Sequence, residues 1–191
     1  MEKAAPPRTE VSEQSRERDR IAAAQADPAE FASIYRAYLD RVYRYLRLRV
    51  GDDESAADLT QQVFLKAMRS LPSYQERGLP FAAWLFRIAR NQAVDAARSR
   101  RDVVSLDLLP DIPSPSGSSD PESAAIRREA LGRLRDLIAG LDPDERELLA
   151  LRFAGGLSSR EIAPLVGKGE EAVKKRLTRC LRKLKDRYYE A

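Results

Sequence analysis

The sequence contains no histidine and only one cysteine, Cys180, and these two shortages exclude several kinds of chemistry. Histidine is the commonest general base and the commonest metal ligand, so a Ser-His-Asp hydrolase site and a Cys/His zinc site are both excluded. One cysteine cannot form an internal disulfide, which fits a reducing cytoplasm. The chain also lacks a phosphate-cradling glycine loop, so we expect no enzymatic activity, no cofactor, no small-molecule substrate and no metal ion.

Long apolar runs are also missing. No segment approaches the roughly 20 apolar residues that a helix needs to cross a bilayer, so we expect no membrane insertion. The opening residues, MEKAAPPRTE, contain no apolar signal region, so we expect no export and a cytoplasmic location. The basic amphipathic C terminus could lie on a membrane surface, but its outward face lacks the aromatic anchors that such helices use.

The composition is that of a globular protein, with 43% hydrophobic and 34% charged residues. A length of 191 residues is enough for one domain or for two small ones, each with its own core. The net charge is only +4, but its distribution is uneven. Residues 103–121 are rich in Pro and Ser, contain acids and have no Lys or Arg, which predicts a flexible domain linker.

The N-terminal part of the chain predicts a compact group of helices. Residues 1–26 are charged and proline-bearing, and we interpret them as a mobile arm that can be helical in its second half. Asp27 and Pro28 predict the start of a long amphipathic helix that stops at Gly51. A second helix follows and stops at Pro72, and a third begins at Phe81.

The third helix, FAAWLFRIARNQAVDAARSRR, carries two different stripes at helical spacing. The first is predicted to face the core: Phe81, Leu85, Ile88, Gln92 and Ala96. The second is predicted to be exposed: Trp84, Arg87, Asn91, Asp95 and Arg98. Guanidinium groups, an aromatic ring and an amide on one surface suit phosphate contact, base stacking and base-edge reading. The alternative is an ordinary core helix with a solvated basic face.

The C-terminal part predicts a helix-turn-helix. A helix from about residue 121 to Gly140 is followed by an N-cap at Asp142. Ser158 and Glu161 form a capping box for a short helix, a turn follows at residues 167–169, and the last helix has an outward basic face. A small helical bundle without DNA contact can show the same pattern.

Three stretches, DLTQQVFLKAM (58–68), the Phe81–Arg101 helix and LDPDERELLALRFAGGLSSREIAPLVGKGEEAVKKRLTRCLRKLK (141–185), resemble the bacterial extracytoplasmic function (group IV) sigma factors of the sigma-70 family. The resemblance covers about residues 29–102 and 122–187. It implies an all-α protein with a region 2 domain over 27–102 and a region 4 domain over 122–191. Such proteins bind core RNA polymerase, direct the polymerase to promoter DNA and help to melt the DNA.

The resemblance also implies a role for particular residues. Contact with the clamp helices of the largest polymerase subunit is carried over to Asp58, Gln61 and Gln62. Minus-10 recognition, with a flipped base, is carried over to Tyr74, Trp84, Arg87, Arg90, Asn91 and Arg98. Minus-35 contact is carried over to Glu171, Lys174, Lys175, Arg176 and Arg179. Region 4 is also expected to meet the polymerase flap.

Two features depart from the family pattern. Pro164 falls inside the first helix of the helix-turn-helix, where it removes a backbone donor. Lys168 and Gly169 replace an apolar turn residue and a hydroxyl cap, and Glu170 and Glu171 follow them. We therefore expect either an unusual minus-35 preference, with a Glu accepting from a cytosine amino group, or a weakened minus-35 contact.

The resemblance finally predicts a partner. Family members are commonly held inactive by an anti-sigma factor, so we expect a compact clamp when the chain is bound and two separated domains when it is free. The acidic linker either serves solubility or imitates a polyanion inside a positively charged channel. A stand-alone helix-turn-helix regulator is the alternative, but it gives the first domain no function.

Overall fold

The computed structural model describes residues 8–76, 79–100 and 121–190, with side chains from residue 15 to residue 98 and from residue 129 onward. These residues form helices and no strand, which confirms the all-α prediction. The α-helices are α1 Arg8–Ala26, α2 Phe31–Val50, α3 Asp53–Ser70, α4 Phe81–Arg100, α5 Pro121–Ala139, α6 Pro143–Leu149, α7 Ser159–Val166 and α8 Glu170–Glu190. Short 3-10 turns occupy Pro28–Glu30 and Leu71–Ser73, and a π-helical segment occupies Ala150–Ala154. Within the described ranges, no helix is both long enough and apolar enough to cross a membrane.

Polar side chains start the helices where the sequence predicts. The Asp27 carboxylate accepts from the Ala29 N–H at 2.9 Å, and the Asp52 carboxylate accepts from the Ser55 N–H at 2.7 Å. Each of these bonds satisfies a backbone donor that has no partner inside the helix. Gly51 ends α2 with a φ of 86°, a left-handed conformation that glycine adopts without steric cost. Asp27 thus caps the 3-10 turn that leads into α2, Asp52 caps α3, and Gly51 ends α2.

Helix α1 lies within residues 1–26, the predicted arm, and is longer than the helix that the sequence allows in the second half of that arm. Residues 1–7 lie outside the described part, but from Arg8 the chain is helical, and Ile21 and Ala24 are buried. The Gln25 Nε2 group donates to the carbonyls of Leu71 at 3.0 Å and Tyr74 at 2.9 Å. The apolar stripe of α1 is short, and the surrounding charge conceals it in the sequence. The helix therefore braces the loop between α3 and α4.

The C-terminal half contains the predicted helix-turn-helix. Both bonds of the Ser158–Glu161 capping box are present at the start of α7. Gly167 ends α7 with a φ of 64°, and the Gly169 carbonyl accepts the first bond of α8 from the Val173 N–H at 3.1 Å. Buried residues Val173, Leu177, Cys180 and Leu184 share one face of α8. The opposite face is therefore left for solvent or a ligand.

The two halves pack against each other, which differs from the expected separation of the free chain. The π-helical segment lies against α2, and α7 lies against α4. Arg41 of α2 donates from Nε to the Gly155 carbonyl at 2.8 Å and from Nη2 to the Gly156 carbonyl at 3.2 Å. Buried side chains from both halves form one continuous cluster. The predicted linker, residues 103–121, lies outside the described residues apart from Pro121.

Pro164 is accommodated in α7 without breaking it, because it is exposed and close to the helix end. It still denies the Arg160 carbonyl a backbone donor. We expect Pro164→Ala to raise the free energy of unfolding by about 1–2 kcal/mol, less than the roughly 3 kcal/mol of a helix interior. Urea unfolding followed by circular dichroism measures this gain. An unchanged or lower midpoint would show that the fixed φ of proline contributes more than the missing bond.

Candidate nucleic-acid interface

Helix α4 presents a basic and amide-bearing face to solvent. Arg87, Asn91 and Arg98 are exposed along one side of the helix. The predicted core stripe lies about a quarter-turn away on the helix: Phe81 and Leu85 are fully buried, Ile88 is nearly so, and Gln92 and Ala96 are half-buried. The exposed side offers two guanidinium groups for phosphate and one amide for a base edge.

The predicted exposure of Trp84 is wrong. Its side chain is only 8% exposed, and Tyr74, which the sequence allowed either to pack or to stack, is buried beside it. The ring centroids of Tyr74 and Trp84 lie 5.0 Å apart, and each lies close to Phe81, at 5.4 and 5.2 Å respectively. The Tyr74 hydroxyl donates to the Leu79 carbonyl at 3.0 Å, which folds the loop over the start of α4. The two aromatic rings therefore pack into the core of the N-terminal half.

Arg90, one turn from Arg87 on α4, is engaged by a residue of the other half. Its Nε lies 3.4 Å from Oε1 of Glu147, a carboxylate only 7% exposed. The Tyr45 hydroxyl donates to the same oxygen at 2.9 Å, and Arg49 Nη1 lies 3.1 Å from the second oxygen, Oε2. The sequence did not indicate this cluster, because Glu147 looks like an ordinary acid near a helix start. Its only sequence signal is that it precedes a run of buried leucines.

Burial in the N-terminal half holds three tyrosines in their neutral form. Burial, reinforced by nearby carboxylates, raises the pKa of Tyr38 and of Tyr45 well above the ordinary value, and raises the pKa of Tyr74 to about 12. In an unfolded chain these groups would ionise near pH 10. Their contribution to stability is therefore complete below about pH 10 and is lost as pH rises through the folded-state values.

We accordingly expect the chain to unfold in alkali rather than to titrate all of its tyrosines while folded. Between about pH 10 and pH 12, part of the tyrosinate absorbance of the seven tyrosines should appear only together with the loss of helical circular dichroism. A complete seven-tyrosine absorbance change in a chain that keeps its helical signal would contradict this expectation.

Helix α3 presents a second face with a different character. Asp58, Gln61 and Gln62 are exposed. Leu65 and Met68, which follow at helical spacing, are 54% and 41% exposed. These two apolar side chains are not among the predicted site residues, although their spacing from Gln61 places them on the same side of the helix. Exposed apolar residues beside polar ones are typical of a protein-binding surface.

The basic residues of α8 are only partly free for a ligand. Lys174 Nζ lies 2.8 Å from Glu170 Oε1 and 2.9 Å from Glu171 Oε1, and the two carboxylates raise the pKa of this lysine. Arg176 pairs at 3.2 Å with Asp142 and with Asp144. The other two predicted contacts, Lys175 and Arg179, are exposed. Glu170 and Glu171 therefore neutralise a lysine of their own helix.

Two family models match the chain: Sigma-70 region 2 over residues 34–103, and Sigma-70, region 4 over residues 131–184. They cover the faces of α3 and α4 and the helix-turn-helix, and leave α1 outside. The described residues contain no group of side chains that could hold a metal ion.

Two proteins similar in sequence and one solved structure match most of the chain. The chain is 38% identical over 151 residues, 76% of this chain and 70% of the other, to the ECF RNA polymerase sigma factor SigD of Mycobacterium tuberculosis. It is 34% identical over 174 residues, 91% of this chain, to the ECF RNA polymerase sigma factor BldN of Streptomyces coelicolor, of whose length it spans 66%. The solved structure of CnrH in complex with the cytosolic domain of CnrY matches with a TM-score of 0.63 at 26% identity, covering 88% of this chain and 94% of that one. With both domains matched in order and the relatives covered over most of their length, the chain belongs to the sigma-70 family, as an ECF RNA polymerase sigma factor.

Proposed function

We propose that the chain binds core RNA polymerase, directs it to a promoter and helps to open the DNA there. The observation that carries this proposal is the separation of three exposed faces on one chain: a partly apolar face on α3, a basic and amide-bearing face on α4, and the outward face of α8. Each face is chemically complementary to one of the three surfaces that such a protein binds: polymerase, the minus-10 element and the minus-35 element. Their order along the chain is that of the matched family models.

The face of α3 is the proposed polymerase contact. Asp58, Gln61 and Gln62 supply polar groups, and Leu65 and Met68 supply apolar area that becomes buried on docking. A mixed surface of this kind suits a helical partner such as the clamp helices of the largest polymerase subunit. The flap of the polymerase is proposed to hold the C-terminal half.

The face of α4 is the proposed minus-10 contact. Arg87 and Arg98 are placed for phosphates, and Asn91 for the edge of an extruded base. Tyr74 and Trp84, buried together with Phe81, shape the adjoining loop and become stacking surfaces only if that loop opens. Flipping a base costs a few kcal/mol, so the loop must supply contacts that compensate for the lost stacking.

Helix α8 is the proposed minus-35 contact. Lys175 and Arg179 are exposed and ready for phosphate or base edges, whereas Lys174 and Arg176 must first exchange their carboxylate partners for DNA. That exchange lowers the net gain from each of these two residues. Of the two expectations for the minus-35 element, an unusual base preference or a weakened contact, these ion pairs favour the weakened contact.

An anti-sigma partner and a cytoplasmic location complete the proposal. CnrH, whose fold this chain shares over 88% of its length, was solved with the cytosolic domain of another protein, CnrY. A comparable protein domain that covers the exposed faces would keep this chain from polymerase. No catalytic role is proposed.

Transcription in vitro from a library of promoter sequences tests the proposed function. Core polymerase alone, the chain alone and the two together are compared by sequencing the transcripts. We expect start sites that share two sequence elements and appear only in the combined reaction. Tight binding of the chain alone to a duplex, without any effect on polymerase, would instead support a stand-alone regulator.

A further inference from the structure

Helix α1 lies outside both matched family models, yet it contacts the loop that leads from α3 to α4. The described part of this loop is residues 71–76 and 79–80. We propose that Gln25 of α1 is a positioning residue for minus-10 recognition, because it fixes the base of the loop that carries Tyr74. The consequence for promoter reading rests on the proposed function, whereas the fixing of the loop does not.

The Gln25 amide binds both ends of the short 3-10 turn with which the loop begins. Its Nε2 donates to the Leu71 carbonyl at 3.0 Å and to the Tyr74 carbonyl at 2.9 Å. The Leu71 carbonyl also accepts from the Tyr74 N–H at 2.9 Å, which closes the turn itself. A primary amide carries two N–H donors, so one glutamine can serve both carbonyls at once. The backbone around Tyr74 is therefore tied to α1 as well as to its own turn.

The rest of α1 is anchored to the core, so Gln25 projects from a fixed support. Ile21 and Ala24 are buried in the hydrophobic core of the N-terminal half. One turn before Ile21, the Glu17 carboxylate accepts from the hydroxyl of Tyr38 on α2. Residues 17, 21 and 24 share one face of a helix at this spacing. Gln25 lies at the edge of that face, where its amide reaches the loop.

The second contact between α1 and the loop is an ion pair on the surface. Arg18 Nε lies 3.2 Å from Glu76 Oε2, but 69% and 46% of these two side chains are exposed. An ion pair that is open to water and salt adds little stability. The amide bonds of Gln25 are partly shielded from water. Gln25 is therefore the contact through which α1 holds the base of the loop.

The base of the loop determines where the Tyr74 ring lies relative to α4. This ring is 5.0 Å from Trp84 and 5.4 Å from Phe81, between centroids, and its hydroxyl donates to the Leu79 carbonyl at 3.0 Å. The hydroxyl bond must break when the loop opens for DNA, but the Gln25 bonds hold only backbone and can persist. A loop that stays fixed at one end loses less conformational entropy when it binds a strand. Gln25 thus pre-organises the loop for minus-10 recognition.

The first test follows the loop in the free, full-length chain. Trp84 is the only tryptophan and packs against Tyr74, so quenching of its fluorescence by acrylamide reports on displacement of the loop. Gln25→Met keeps the length and the helix propensity of the side chain but removes both donors. We expect the quenching constant to rise about threefold or more in this variant, because two hydrogen bonds are lost. Gln25→Lys, whose ammonium group can donate to both carbonyls, should give a value close to that of the parent.

The second test measures promoter reading in the holoenzyme assembled from core polymerase and the full chain. It is titrated with two fluorescent single-stranded oligonucleotides, one with the minus-10 sequence selected from the promoter library and one with the same bases scrambled. We expect Gln25→Met to bind the selected strand about tenfold more weakly and the scrambled strand within about twofold of the parent, since phosphate contacts are unchanged. Gln25→Lys should restore most of the ratio between the two affinities.

Arg20→Met is the matched control, because it places the same methionine at an exposed position of α1. We expect it to leave the quenching unchanged and the ratio of the two affinities within about twofold of the parent. Circular dichroism checks that every variant keeps its helices. A loss of discrimination in Gln25→Met that Gln25→Lys repairs is not expected from a general loss of stability.

Three results would overturn the proposal. Unchanged Trp84 quenching in Gln25→Met would show that Gln25 does not fix the loop, whether or not the chain supports transcription. Tighter binding of the selected strand by Gln25→Met would show that Gln25 holds the loop away from DNA. A parent holoenzyme that binds both strands equally would contradict the proposed function and with it the role of Gln25 in promoter reading, even if the quenching result shows that Gln25 fixes the loop.

Discussion

Replacing Phe86 with alanine is expected to lower the free energy of unfolding by about 3–5 kcal/mol, the range for a buried phenylalanine cut back to its β-carbon. Phe86 is fully buried at the junction of the two halves. Its ring packs edge to face on Tyr45, with 5.5 Å between centroids, and the Arg41 guanidinium lies over it. The variant therefore loses apolar burial and also two oriented contacts.

The cavity left by Phe86 has little means of closing. Gly155, its neighbour from the C-terminal half, has no side chain, and a β-carbon there would lie only 2.7 Å from Cε1 of the Phe86 ring. The ring thus fills a space in which the facing residue offers only backbone. Because Arg41 fixes the carbonyls of Gly155 and Gly156 in place, this backbone cannot shift toward the cavity without losing those hydrogen bonds. A cost in the upper part of the range follows.

Urea unfolding measures this effect with two signals. The fluorescence of Trp84, the only tryptophan, reports on the N-terminal half, and circular dichroism reports on helices of both halves. We expect the two signals to change together in the parent, because the buried core is continuous across the halves. Phe153→Ala is the matched control: its ring is 60% exposed, so we expect a change within about 0.5 kcal/mol. Equal losses in both variants would contradict the assignment of Phe86 to the shared core.

Most helix boundaries could be predicted from the sequence, because they depend on neighbouring residues. Asp27, Asp52 and Asp142 each accept a bond from a backbone N–H two or three residues later, so the signal and its partner lie in one short stretch. The capping box between Ser158 and Glu161 is equally local. The core stripe of α4 follows from helical geometry alone. These features need no knowledge of which segments meet in the folded chain.

The features that could not be predicted depend on distant segments. Trp84 lies three residues after Phe81, about 60° from the core stripe on a helical wheel, and it is buried only because the loop bearing Tyr74 folds over it. Glu147 finds its partners on α2 and α4, far away in the chain. A helical wheel places a charged residue on a face but does not identify what meets that face. The sequence alone therefore does not predict the packing of the two halves or the buried Glu147 carboxylate between them.

Asn91→Ala is expected to lower the rate of open-complex formation by about 5- to 150-fold, which corresponds to the loss of a base-edge contact of about 1–3 kcal/mol. Asn91 is exposed on α4 between Arg87 and Arg98, where its amide can both donate to and accept from a base. Removing an exposed side chain of this kind should not disturb the fold. Affinity for core polymerase should stay within about twofold, since the proposed polymerase contact is on α3.

Gln61→Ala provides the reciprocal control, because it truncates an exposed amide on α3 in the same half of the chain. We expect it to weaken polymerase binding while leaving melting unchanged once polymerase is saturated. Melting is followed by the fluorescence of a base analogue in the minus-10 element, and polymerase binding by anisotropy of the labelled chain. Equal losses of melting and polymerase binding in Asn91→Ala would mean that α4 acts through docking. Loss of melting alone in Asn91→Ala, together with loss of polymerase binding alone in Gln61→Ala, would assign base reading to α4 and polymerase docking to α3. Neither truncation alters the charge or the buried area of the chain, so a general loss of stability would not produce this pattern.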